Sequence, residues 1–146
     1  MEIFTIGFTK SSARNFFERL KSAGIQRLVD VRLQNTSQLA SFAKRDDLEY
    51  FLEALCGASY VHEPLLAPTA ELLAAYKKQK GDWEVYRQGF LALMAARRIE
   101  THLEPAEFRR TRSVLLCSED SHEHCHRSLV VEYLQTKWPE VRGVHL

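Results

Sequence analysis

Apolar side chains recur along this chain in two rhythms, short runs and a three-to-four-residue period. Residues 3–6 form a compact run ended by Gly7, the mark of a buried strand. Phe16, Phe17, Leu20 and Ala23 follow at helical spacing, with Thr9, Ser11 and Ser12 ahead as candidate N-caps and Gly24 behind as a stop. A second strand starts at Ile25 or Arg27 and runs through Val31. Strand, helix and strand in this order predict a parallel βαβ unit.

The alternation continues. Residues 33–45 are a long polar loop, and long loops often carry function. Asp46 or Asp47 can cap a helix bearing Leu48, Phe51, Leu52 and Leu55, stopped by Gly57. Residues 59–62 suit a short third strand. Thr69 can cap a helix over 70–78, Gly81-Asp82 breaks it, and Tyr86, Phe90, Leu93 and Met94 mark a helix over 83–99. Pro105 interrupts the polar segment that follows. An apolar strand over 113–116 stops at Cys117. After the loop 118–124, Cys125-His126-Arg127 opens a helix with Leu129, Val130, Tyr133 and Leu134 on its apolar face, ended by Pro139. Residues 141–146 make a last strand. The pattern predicts an α/β fold, a single mostly parallel sheet flanked by helices in Rossmann-like layers, as one domain over residues 1–146.

In an open parallel sheet, ligands bind beyond the carboxyl ends of the strands. Gly7, Arg32, His62 and Cys117 lie at or just after such ends and are expected on one edge, together with the helix start at Cys125. Arg109, Arg110 and Arg112 precede a strand, belong to the opposite edge, and read as solvated surface.

Composition narrows the classes. Apolar content of 45% and charged content of 27% are ordinary for a globular chain. A net charge of +1 argues neither for nor against nucleic acid. There is no run of 18 apolar residues, so no membrane span is expected. Met1-Glu2-Ile3-Phe4 has no basic region before an apolar core, so no secretory signal is expected either. The odd set Cys56, Cys117 and Cys125 then reads as reduced thiols in the cytoplasm.

Chemistry gathers in the last third. Cys125 sits where a helix N-terminus, His124, His126 and Arg127 all favour thiolate, which makes it the first nucleophile candidate. Cys117 is a candidate resolving thiol or metal ligand, whereas Cys56 on an apolar face reads as core. Asp30 or Glu119 could accept a proton or orient a histidine such as His126. Arg32 and Arg127 could grip a phosphate or carboxylate, with Gly7 nearby at a strand end. Metal binding is the rival reading: Cys117, His122, His124, Cys125 and His126 supply soft and borderline ligands within ten residues, and a site of both cysteines with His122 or His124 is geometrically possible. The spacing matches no strong zinc pattern, so no metal and no cofactor are assigned. The sixth residue beyond Cys125 is Val131, so the Cys-x5-Arg phosphate loop of cysteine phosphatases is missing. Gly-x-Gly-x-x-Gly and the Walker lysine are missing too.

Thr5-Ile6-Gly7, Val29-Asp30-Val31-Arg32, Ser37 and Phe42, Leu116-Cys117-Ser118-Glu119 and Cys125-His126-Arg127 together resemble the domain-of-unknown-function 488 family across essentially the whole chain. Phe8-Thr9 stands where that family commonly has a histidine or tyrosine after the glycine. The resemblance implies an α/β fold and a cysteine-containing pocket, and no particular reaction. From these residues the expected function is an enzyme with a cysteine, histidine and arginine pocket for an anionic substrate, with phosphate-bearing compounds as one candidate class. The alternatives are a non-catalytic nucleic-acid or nucleotide-binding module and a metal-binding or redox-sensing protein.

Overall fold

The structure, a computed structural model, describes residues 1–36, 40–119 and 121–146. Five strands, β1 (Glu2–Gly7), β2 (Arg27–Asp30), β3 (Ser59–His62), β4 (Ser113–Cys117) and β5 (Arg142–His145), form one sheet in the order β3-β2-β4-β1-β5. Every neighbouring pair is parallel. Side chains alternate across it, as the two-residue strand period requires. Phe4, Ile6, Leu28, Val114 and Leu116 meet α1 (Ala13–Ser22) and α2 (Arg45–Phe51) on one face. Ile3, Val29 and Leu115 meet α4 (Trp83–Arg97) and α7 (His126–Lys137) on the other. The remaining helices are α3 (Ala70–Lys77), α5 (Ile99–His102) and α6 (Pro105–Arg110). None of the described helices is long and apolar enough to cross a membrane.

Local chemistry explains most boundaries. The Ser12 hydroxyl accepts from the Asn15 amide and caps α1, and Thr69 caps α3 in the same way. Four expectations shift. Asp46 and Asp47 sit inside the first turn of α2, where the macrodipole favours them, and Lys44 holds the cap position. A π-turn over Leu52–Cys56 then widens the helix before Gly57, at φ 62°, ends it. That wider turn carries Leu55 off the buried stripe and leaves it 48% exposed. The helix expected over 83–99 breaks at Arg98, which adopts φ 50°, so Ile99 begins the separate turn α5. Pro105 opens α6, where its missing N–H is no loss.

The arrangement positions a crevice. β1 and β2 lead into helices on one face, while β4, wedged between them, leads into α7 on the other. Chains leaving adjacent strands in opposite directions open a gap beyond their carboxyl ends. In register, Gly7 faces Cys117, and Asp30 faces both Leu116 and His62.

Candidate functional site

Asp30 and Arg32 belong to the end of β2 and are buried, at 0% and 2% exposure. The guanidinium grips the carboxylate with two near-parallel bonds, Nε to Oδ1 and Nη2 to Oδ2, both at 2.8 Å. The Arg32 amide also donates to Oδ1 at 3.1 Å, and the Tyr60 hydroxyl donates to Oδ2 at 2.6 Å. Burial and the Asp30 charge push the Tyr60 hydroxyl pKa far up, so it stays a donor. With four donors on it, Asp30 fixes Arg32 in place. The Phe8 ring lies 5.4 Å from the Arg32 carbon centre and supports it from one side. Arg32 Nη1 is buried and has no hydrogen-bond partner among the described residues.

Arg32 is part of the wall of a cavity of about 190 Å³. Leu33 and Gln34 continue that wall from β2, and Cys117, Ser118 and Glu119 bring in the end of β4. His124, Cys125 and His126 bring in the start of α7, and Tyr76, Lys77 and Tyr86 close it from α3 and α4. The volume is below the roughly 300–1,000 Å³ of drug-sized sites and suits a small group. Its charged walls are two cations, Arg32 and Lys77, against one carboxylate, Glu119, which pairs with Lys77 at 2.7 Å. Tyr76 and Tyr86 stack at 4.8 Å and give it a flat aromatic side. His124, at φ 57°, holds a left-handed backbone that non-glycine residues seldom adopt, and its ring stacks on Trp83.

The sulfurs lie at the floor. Cys117 and Cys125 are joined as a disulfide across a Cα separation of 7.6 Å, which corrects the expectation of three free thiols. The pairing matches the resolving-thiol reading of Cys117, and the return of α7 onto β4 brings the two cysteines together. Cys56 is the free cysteine, and burial pushes its thiol pKa up. His126 Nε2 lies 2.7 Å from the Val31 carbonyl. A carbonyl only accepts, so Nε2 carries the proton and Nδ1 keeps its lone pair. Enclosure holds the imidazole neutral by pulling its pKa down to about 4, and the Arg127 charge adds to that shift.

Arg127 stands apart from the cavity wall. It is fully buried; Nη1 donates to the Glu119 carbonyl and lies 3.5 Å from Cys117 Sγ. A Cβ on Gly7 would collide with that same carbonyl oxygen and with Arg127 Nη1. The Ser118 carbonyl accepts from the Phe8 and Thr9 amides and the Thr9 hydroxyl, which straps the 118–119 turn across the end of β1. Gly7 thus leaves room for the turn and does not line the cavity. Of the residues singled out from sequence, Arg32, Cys117, Glu119, His124, Cys125 and His126 meet at the cavity. Asp30, Gly7 and Arg127 stand behind it. His122 stacks on His145 at 3.8 Å and has left the group. Lys77, Tyr76 and Tyr86 were missed, since no motif marks them. Ser37 lies outside the described residues.

An open parallel α/β sheet with a cysteine-floored cleft at its carboxyl edge is the class that fold and site define. The chain belongs to the family described as domain of unknown function DUF488, whose profile matches residues 12–134. No curated protein and no solved structure matches the chain.

Proposed function

We propose that the cavity at the carboxyl edge is an enzyme pocket that holds a small anionic, phosphate-bearing substrate against a cysteine sulfur. The observation that carries this reading is Arg32, whose guanidinium is held by Asp30 and is 2% exposed, yet leaves Nη1 without a partner on a residue of the wall. An unmet charged N–H in a buried site lowers its free energy by taking an anionic oxygen, and the bond is charge-assisted. Lys77, paired with Glu119 at 2.7 Å, places a second positive charge on the wall. When the sulfurs are reduced, Cys125 at the α7 N-cap and Cys117 beside Arg127 each have a neighbour that favours thiolate. Neutral His126, with Nδ1 open, can take or return a proton.

The test follows alkylation of Cys117 and Cys125 in reduced, metal-free protein, with and without inorganic phosphate. Phosphate is expected to slow both reactions while Cys56 stays slow throughout. Lys77→Ala should weaken the protection by about two- to fivefold, the range for a half-exposed charge. Alkylation of Cys117 and Cys125 at the same rate with phosphate, sulfate or a carboxylate present would remove the anion pocket.

A further inference from the structure

We infer that, once reduced, Cys117, Cys125 and His126 form a three-ligand site for a zinc-class divalent cation whose fourth position opens on the cavity. The two sulfurs and one ring nitrogen of His126 all lie within 4.8 Å of one another. Two thiolates and an imidazole are the ligand set that borderline-soft cations such as Zn²⁺ select over Mg²⁺ or Ca²⁺.

Three further observations point the same way. The backbones of Cys117 and Cys125 stand 7.6 Å apart, wider than the span of about 4.4–6.8 Å usual for a disulfide. In a tetrahedral zinc site, with Zn–S near 2.3 Å, the two sulfurs sit about 3.8 Å apart. The wide backbone spacing accommodates that separation. Next, His126 donates Nε2–H to the Val31 carbonyl, the outer hydrogen bond that metal-bound histidines commonly make, and this leaves Nδ1 as the ligating atom. Finally, Arg127 Nη1 lies 3.5 Å from Cys117 Sγ, so part of the thiolate charge is balanced inside the protein.

Sequence spacing points instead to His122 or His124 as the histidine ligand. The clustered ligand atoms are those of Cys117, Cys125 and His126; His122 stacks on His145, and His124, though on the cavity wall, stacks on Trp83. Three protein ligands with an open fourth position is the pattern of catalytic rather than structural zinc. All three ligands line the cavity, so water or an anion held by Arg32 could complete the shell. Binding converts two thiols to thiolates and releases two protons to solvent. The site shares the cavity of the proposed function but does not depend on it, and it is tested without phosphate.

The experiment uses the whole chain in two states and cobalt as a zinc-class probe. A phosphine reductant opens the disulfide, taking one oxygen from water to become its oxide and leaving two thiols. The reduced protein, freed of reductant and titrated with Co²⁺, should take one equivalent, with a near-ultraviolet thiolate-to-cobalt band and the visible bands of tetrahedral cobalt. One equivalent of Zn²⁺ should erase them. Disulfide-bonded protein and reduced protein alkylated with iodoacetamide should show no bands, and neither control requires a mutation. His126→Ala should lose the tetrahedral pattern or bind at least tenfold more weakly, whereas Cys56→Ser should bind as the parent does. Reduced parent protein without the bands overturns the proposal. So does equal binding by the disulfide form, or bands that depend on Cys56. Phosphate protection without cobalt binding would leave the anion pocket standing and remove the metal, and the converse result would do the reverse.

Discussion

Arg27 opens strand β2 and Arg32 follows its end, and each leaves one buried guanidinium nitrogen unpaired among the described residues. Only the second carries a candidate site, and the neighbours explain why. Arg27 bonds Glu107 at 2.9 Å and the Ser113 hydroxyl at 3.0 Å. The groove beside it is also lined by Glu63 and Glu104, so carboxylates outnumber the one arginine and repel an anion. Arg32 has Asp30 bound face to face behind it, and its cavity adds Lys77, which pairs with Glu119, and two sulfurs. An unmet donor thus becomes a binding feature where carboxylates do not outnumber the cations around it and reactive atoms are within reach. The cluster of Arg109, Arg110 and Arg112 near the start of the sheet illustrates the other case. Arg109 pairs with Glu140, and Arg112 donates to the Ala23 carbonyl.

The contrast can be tested from its strongest consequence down. Arg127 ties the carboxyl edge together from inside. Arg127→Ala should therefore destabilise the protein by about 3–5 kcal/mol, the scale for a large buried side chain whose bound groups lose their partner. Urea unfolding followed by circular dichroism measures it; a loss under about 1 kcal/mol would place Arg127 outside the framework of the edge.

The next effect is acid sensitivity. Folding lowers the His126 pKa from 6.5 to about 4, so the unfolded chain takes the proton first. The neutral ring's contribution is complete above about pH 6.5 and is lost as pH falls from there toward 4, roughly 3 kcal/mol at most because part of the residue remains accessible. Carboxylates also titrate in this window, so the comparison is with His126→Gln. The parent should lose more stability than the variant between neutral pH and pH 4. Parallel losses would show that the imidazole is not held neutral by the edge.

Gly7→Ala should cost about 1–3 kcal/mol as the 118–119 turn is forced off β1. Alkylation of Cys117 in the reduced variant should quicken as its cover loosens. An unchanged melting temperature would mean that the turn moves freely.

The smallest effects belong to the other edge. Arg110→Ala should change stability by no more than about 0.5 kcal/mol. Arg27→Ala should leave phosphate protection of the cysteines intact. If Arg27→Ala removed protection as Lys77→Ala does, the distinction between the two arginines would collapse.

Strand and helix order could be read directly, because buried strands and amphipathic helices impose different apolar periods. The edge shared by Arg32, Cys117 and Cys125 was legible too, since parallel strands put like ends together. Strand order was not legible: pairing of Gly7 with Cys117 is a contact across 110 residues that leaves no local trace. Lys77 and Tyr76 reach the cavity from α3, a helix with no buried residue. Arg127 looked like a ligand from its place at a helix start. The turn of α7 that carries it faces inward, where Nη1 donates to the Glu119 carbonyl and lies 3.5 Å from the Cys117 sulfur.

The position of β4 has a consequence for how the molecule comes into being. β1 bonds only to β4 and β5, and β2 only to β3 and β4. The two strands that leave the ribosome first therefore share no ladder until a strand made some eighty residues after β2 slides between them. Until then their apolar faces rest on helices alone, and their edges stand open to other chains. That late strand also brings Cys117, so the first sulfur of the cavity floor arrives in the same event that joins the two halves of the sheet. A nascent chain that stalls before β4 would have neither a continuous sheet nor a pocket, and a trap or chaperone that recognises open edges would find it during that interval.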